Sequence, residues 1–70
     1  MALLDDIAVK LAQDTFAQAR ATGDEALIDD VSKSLGATSN TLQEAYLTAI
    51  RYLRAEARAR DVLVKRAAKG

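Results

Sequence analysis

Glycine occupies three positions of this chain, 23, 36 and 70, and proline occupies none. Proline breaks helix interiors and glycine commonly follows a helix C-terminus, so these positions leave uninterrupted segments between them. Each segment repeats its apolar residues every three or four positions, as an amphipathic helix does. The sequence therefore predicts one all-α domain over 1–70, in which helices at about 3–21 and 24–35 pack on a long helix at about 40–68.

The first two predicted helices each carry one apolar stripe. In the first, the stripe is widened by Phe16 and consists of Leu4, Ile7, Ala8, Leu11, Thr15 and Ala19. Gly23 is expected to end this helix in the left-handed conformation, and Asp24 to cap the next one. The second helix is expected to end at Gly36 and to turn inward Ala26, Leu27, Ile28, Val31 and Leu35.

The third predicted helix is too long for the other two to cover. It begins near 39–41, where Thr41 and Glu44 match a capping box. Its apolar stripe contains Leu42, Ala45, Tyr46, Ala49, Ile50 and Leu53. At about 1.5 Å per residue it would be about 43 Å long, against roughly 28 Å for the first helix, so its end must overhang. Favourable pairs four residues apart, Glu56 with Arg60 and Asp61 with Lys65, support this end.

The apolar cluster Val62, Leu63 and Val64 lies beyond the reach of a compact three-helix core. This placement predicts a contact with a partner. In the alternative, the cluster folds back on the start of the first helix or frays. Half of the residues are apolar, but 15 are alanines, which leaves few large side chains for a core. Without cysteine or histidine there is no disulfide or zinc site to compensate, so association with a second chain is favoured.

Charge is divided unevenly along the chain. Residues 1–50 contain three basic and eight acidic side chains, whereas residues 51–70 contain seven basic and two acidic ones. An antiparallel neighbour would place Asp5, Asp6 and Asp14 of one chain near the basic end of the other.

The residue inventory argues against catalysis. Histidine and cysteine are absent, and the serines and threonines cluster at helix caps with no base to activate them. We therefore expect no enzyme activity, cofactor, metal or small-molecule substrate. The first residues do not match a targeting pattern and the sequence has no run of about 20 apolar residues, so we expect a cytoplasmic protein without a targeting segment that does not enter membranes.

Two functions follow from these patterns. The first is a non-catalytic interaction module that self-associates, or docks on another protein, through the long third helix. Its predicted interface residues are Tyr52, Arg54, Arg58, Leu63 and Val64.

The second function comes from residues 27–47. They place apolar residues at 28, 31, 35, 42 and 45, a small residue at Ser32 and a turn at Gly36, and resemble the helix-turn-helix of DNA-binding regulators. The resemblance implies duplex DNA as partner, with phosphates held by the basic third helix. The contacting residues would be Asn40, Thr41, Gln43, Arg51 and Arg54. The acidic residues Asp29, Asp30 and Glu44 would oppose this contact.

Overall fold

The computed structural model describes residues 2–69 and places them in three α-helices without any strand. α1 spans Leu3–Thr22, α2 spans Ala26–Gly36 and α3 spans Asn40–Lys69. The two connections, 23–25 and 37–39, are three residues long, so consecutive helices lie side by side. Both shorter helices pack on α3, which confirms the predicted all-α architecture. Within residues 2–69, no helix is both long and apolar enough to cross a membrane.

Small side chains line the buried face of α1. Ala8, Ala12, Thr15 and Ala19 are each at most 5% exposed, and their spacing keeps them on one side of the helix. Small residues allow neighbouring backbones to approach closely, so the larger side chains of α1 flank this line. The prediction that Ile7 belongs to the buried stripe is wrong, because it points about 100° away from Ala8 and is 45% exposed.

The core combines the small buried side chains of α1 with larger ones from α2 and α3. Its largest fully buried side chains are Ile28, Tyr46 and Ile50. Half-buried apolar side chains at the predicted positions pack against this core: Leu27, Val31, Leu35, Ala49 and Leu53. Ala26, which was expected to point inward, is exposed.

Two polar side chains of α3 bind the backbone of α2. The Tyr46 hydroxyl donates to the Ile28 carbonyl oxygen at 3.0 Å, and the Gln43 amide donates to the Ser32 carbonyl oxygen at 2.9 Å. The same amide nitrogen lies 3.3 Å from the Ser32 hydroxyl oxygen. Since the later residue of α3 meets the earlier residue of α2, the two helices run in opposite directions.

The two internal glycines serve different purposes. Gly23 has φ 73°, the left-handed conformation predicted for the end of α1, and the Asp24 amide bonds back to the Ala19 carbonyl oxygen. Gly36 is the last residue of α2, as predicted, but its φ is not positive. A Cβ atom at this position would lie 2.6 Å from the Gln43 amide nitrogen, so Gly36 makes room for that side chain.

The starts of α2 and α3 differ in detail from the predictions. α2 begins two residues after Asp24, and the backbone carbonyls of Asp24 and Glu25, rather than a carboxylate, accept the bonds from Leu27 and Ile28. At α3 the cap is Ser39, whose hydroxyl oxygen accepts a 3.1 Å bond from the Leu42 amide. The predicted capping box from Thr41 to Glu44 is therefore wrong, because the helix has already begun at Asn40.

Candidate functional site

The C-terminal part of α3 extends beyond the packed core as a continuous helix. Every residue from 58 to 69, called the overhang below, is exposed. Its apolar residues Val62, Leu63 and Val64 are 56%, 65% and 65% exposed. The predicted overhang is thus confirmed, whereas the alternative in which the cluster folds back on the start of α1 is wrong.

A groove lies where the overhang leaves the bundle. Its apolar lining combines Phe16 of α1 with Leu53, Ala57 and Val64 of α3, and its volume is about 680 Å³. Leu53 and Val64 lie on one side of α3 because eleven residues are close to three helical turns. The groove is therefore the part of the core-facing side of α3 that α1 is too short to cover.

Charged side chains surround this groove. Arg54 of α3 pairs with Glu25 of the first connection at 3.5 Å, with both side chains more than half exposed. The guanidinium carbon of Arg20 lies 5.5 Å from the centre of the Phe16 ring, within the range of a cation–π contact. Both arginines are thereby held at the rim by the end of α1 and the connection that follows it.

The overhang is strongly basic, with five lysines and arginines against the single acidic residue Asp61. The two predicted ion pairs four residues apart are confirmed: Arg60 with Glu56 at 3.0 Å and Lys65 with Asp61 at 3.2 Å. Among residues 2–69, no carboxylate forms an ion pair with the remaining three, Arg58, Arg66 and Lys69. Those charges are available to an acidic partner.

The five predicted interface residues do not form one patch. Arg54, Arg58 and Val64 line the groove, but Tyr52 and Leu63 do not. Tyr52 is 72% exposed and shares with Leu63 a different side of the helix, since these two residues are also eleven apart. The structure therefore divides the predicted set between the groove and an adjacent exposed face.

The residues assigned to DNA contact are also divided. Asn40, Thr41 and Arg51 are exposed on α3. Gln43 lies half-buried between α2 and α3, where its side-chain amide donates a hydrogen bond to the Ser32 carbonyl oxygen. Arg54 forms an ion pair with Glu25. The exposed Glu44 lies on the same side of α3 as Asn40, four residues away, where it would repel a phosphate.

Sequence reasoning missed the groove and the bonds from α3 to α2. The groove depends on Phe16 of α1 lying beside Ala57 and Val64 of α3, a relationship between segments that periodicity within one helix does not contain. Ser32 was recognised only as a small residue, and Gln43 was assigned to DNA contact rather than to the bond with Ser32. The buried side chains of residues 2–69 leave no nitrogen or oxygen without a hydrogen-bond partner.

The phenol of Tyr46 is buried in the core. Burial raises the pKa of Tyr46, the opposite of what would activate a phenol, and its hydroxyl is bonded to a backbone carbonyl. Residues 2–69 contain no group of three or more acidic side chains arranged to hold a metal ion.

Comparison of the chain with protein-family models, curated protein sequences and solved structures gives no match.

Proposed function

We propose that this chain is a non-catalytic helical interaction module that acts in the cytoplasm and self-associates through the overhang of α3. The observation that carries the proposal is the exposure of Val62, Leu63 and Val64 on a helix that is fully formed beyond the core. Apolar surface in this position gains about 25 cal/mol per Å² when a partner removes it from water.

The length of the overhang supports the same conclusion. An isolated helix of about 12 residues is marginal in water, because most helical stability in proteins comes from packing of an apolar face. One ion pair within the overhang, Lys65 with Asp61, and one that joins it to the preceding turn, Arg60 with Glu56, each contribute only about 0.2–0.5 kcal/mol at the surface. A partner packed along it would supply the stabilisation that α1 and α2 are too short to provide.

The size of the surface favours a symmetric pair. Twelve helical residues span about 18 Å, and one side of a helix of this length offers on the order of 300 Å². A standard stable interface buries about 800 Å² on each partner, so one such contact is too small. Two copies of the chain related by a twofold axis make each contact twice, which brings the area closer to that of a stable dimer.

The test is the molar mass in solution, measured by light scattering after size exclusion at low and high salt. The wild-type chain is expected at twice its 7.5 kDa mass in low salt and to dissociate partly in high salt. Leu63→Glu combined with Val64→Glu should be monomeric, because both side chains are exposed and the substitutions oppose association without opening the core.

Thr41→Glu combined with Thr48→Glu is the matched control. It makes the same change in charge at exposed positions of α3 away from the overhang, and should remain dimeric. A monomeric wild-type chain at both salt concentrations, or dimers in both variants, would overturn self-association through the overhang.

DNA binding is the alternative function, and it has weaker support because Gln43 and Arg54 are engaged within the molecule. Arg51→Gln combined with Arg54→Gln tests it, since the side chains of both residues are exposed and their loss should not unfold the chain. If the chain is an interaction module and not a DNA-binding protein, we expect that neither this variant nor the wild type binds duplex DNA at low salt. Duplex binding by the wild type that the variant loses would establish the alternative instead.

A further inference from the structure

A second exposed apolar surface lies at the opposite end of the molecule. Leu3 is 74% exposed and Ile7 is 45% exposed, and the two residues lie one turn apart on the same side of α1. Asp6 lies beside Leu3 on this side. Lys10 and Asp14 continue the same side one and two turns further along, and all three charged residues are exposed. The beginning of α1 thus presents a short apolar edge with an excess of negative charge, which we call the α1 edge.

Within one chain the α1 edge and the overhang are far apart. The ion pair between Glu25 and Arg54 places the start of the overhang beside the C-terminal end of α1. Leu3 lies at the other end of this 20-residue helix, about 30 Å away. The two surfaces cannot meet inside a single molecule, but they meet in a pair of molecules that lie antiparallel.

The two surfaces also match in chemistry. Besides the hydrophobic side chains of Leu3 and Ile7, the α1 edge carries the carboxylates of Asp6 and Asp14 and one basic residue, Lys10. The overhang has excess positive charge, and the groove at its base has an apolar lining that includes Val64 and Phe16. Opposite charges around apolar contacts favour one orientation of association and oppose others.

We propose that two copies of this chain pair antiparallel, each laying the α1 edge along the groove and overhang of the other. This proposal rests on the proposed function and identifies the surface of the second copy that the overhang contacts. The twofold arrangement contains two identical contacts, each between an acidic and a basic surface, and uses both of the exposed apolar ends of the molecule.

Charge exchange between the two surfaces provides the test. The first variant carries Asp6→Lys and Asp14→Lys, which makes the α1 edge basic like the overhang. The second carries Arg58→Glu and Arg66→Glu, which makes the overhang acidic like the α1 edge. Each variant alone brings like charges together in both contacts, and we expect its dimer to dissociate on the order of tenfold or more easily than wild type.

An equimolar mixture of the two variants restores opposite charges in both contacts. We expect native mass spectrometry, which separates the variants by mass, to show a dimer containing one chain of each. Asp29→Lys combined with Asp30→Lys is the matched control, because it reverses an equally exposed acidic pair on α2. This control should form dimers like the wild type and should gain nothing from mixing with the overhang variant.

Lysine near the start of a helix opposes the helix dipole, so the first variant must be shown to fold. Circular dichroism provides that check, and Asp6→Asn with Asp14→Asn, which removes charge without reversing it, should weaken the dimer by an intermediate amount. A wild-type dimer whose two charge variants fail to pair on mixing would overturn the role of the α1 edge while leaving self-association intact. A wild-type monomer would instead overturn the proposed function itself.

Discussion

The hydroxyl of Tyr46 donates a 3.0 Å hydrogen bond to the carbonyl oxygen of Ile28, a residue 18 positions earlier in the chain. Both residues are at most 2% exposed, so the bond crosses the centre of the core. A buried hydroxyl without a partner costs about 1–3 kcal/mol, so α3 is most stable where Tyr46 reaches this carbonyl. The bond therefore fixes how far α3 is shifted along α2.

Replacing Tyr46 with phenylalanine should destabilise the protein measurably. The variant keeps the ring in the core but loses the hydrogen bond, and the expected loss is about 1 kcal/mol. For a domain of this size, such a loss lowers Tm by roughly 4–8 °C, which thermal unfolding followed by circular dichroism will detect. Tyr52→Phe is the matched control, since Tyr52 is 72% exposed and should unfold like wild type. Equal effects of the two substitutions would contradict a special role for the Tyr46 hydroxyl.

The same residue predicts a loss of stability in alkaline solution. Burial raises the pKa of Tyr46 above its ordinary value of 10.0; the Thr15 hydroxyl lowers it, and the charges of Asp29 and Arg54 act in opposite directions. The phenol therefore loses its proton more readily in the unfolded chain than in the folded one. Unfolding releases a proton above about pH 10, so the free energy of unfolding contributed by this group falls as pH rises through that value.

Urea unfolding at about pH 9 and about pH 11 checks this expectation. Other effects of alkaline solution on stability are common to both proteins, so the informative quantity is the difference between the wild type and Tyr46→Phe. That difference should become smaller at the higher pH, because only the wild type carries the buried phenol. A difference that is the same at both pH values would contradict the argument.

Periodicity and length predicted the parts of the fold that depend on a single helix. Tyr46 and Ile50 were assigned to the core because they lie on one stripe, and they are among its largest buried side chains. The overhang followed from comparing the lengths of α1 and α3. Gly23 was correctly assigned the left-handed conformation because glycine adopts it without the steric cost that a Cβ atom imposes.

Relationships between helices could not be derived in this way. Gln43 is polar and follows a helix start, so its sequence position is typical of a solvent-exposed or DNA-contacting residue, yet its amide binds Ser32 of α2. Whether Ile7 or Ala12 faces the core depends on how closely α3 approaches α1. These features depend on the separation and rotation of packed helices, which the spacing of residues along one helix does not specify.

Gly36 and Gln43 should be energetically coupled. A Cβ atom at Gly36 would lie 2.6 Å from the Gln43 amide nitrogen, so Gly36→Ala must displace that side chain from Ser32. The lost bond, about 1 kcal/mol, should offset the roughly 0.5–1 kcal/mol that alanine gains over glycine in a helix. In a Gln43→Ala background the obstruction is gone, and the same substitution should stabilise the protein.

Urea unfolding of the four proteins in this double-mutant cycle measures the coupling, for which we expect about 1 kcal/mol. Ser34→Ala is a control on the same helix, because Ser34 is exposed and its substitution should have the same effect in both backgrounds. If the effects of Gly36→Ala and Gln43→Ala on the free energy of unfolding are additive, the two residues are not coupled and the explanation of Gly36 is contradicted.

Gly23 should respond differently, because the constraint there is in the backbone. Its φ is 73°, and a Cβ atom would meet nothing within 4 Å, so packing does not oppose a larger residue. Gly23→Ala should cost about 1–2 kcal/mol through left-handed strain, and Gly23→Asn should cost less because asparagine tolerates this conformation better. Both values are measurable by urea unfolding, and neither should depend on Gln43. An alanine variant as stable as wild type, or an asparagine variant as unstable as alanine, would contradict this explanation of how α1 ends.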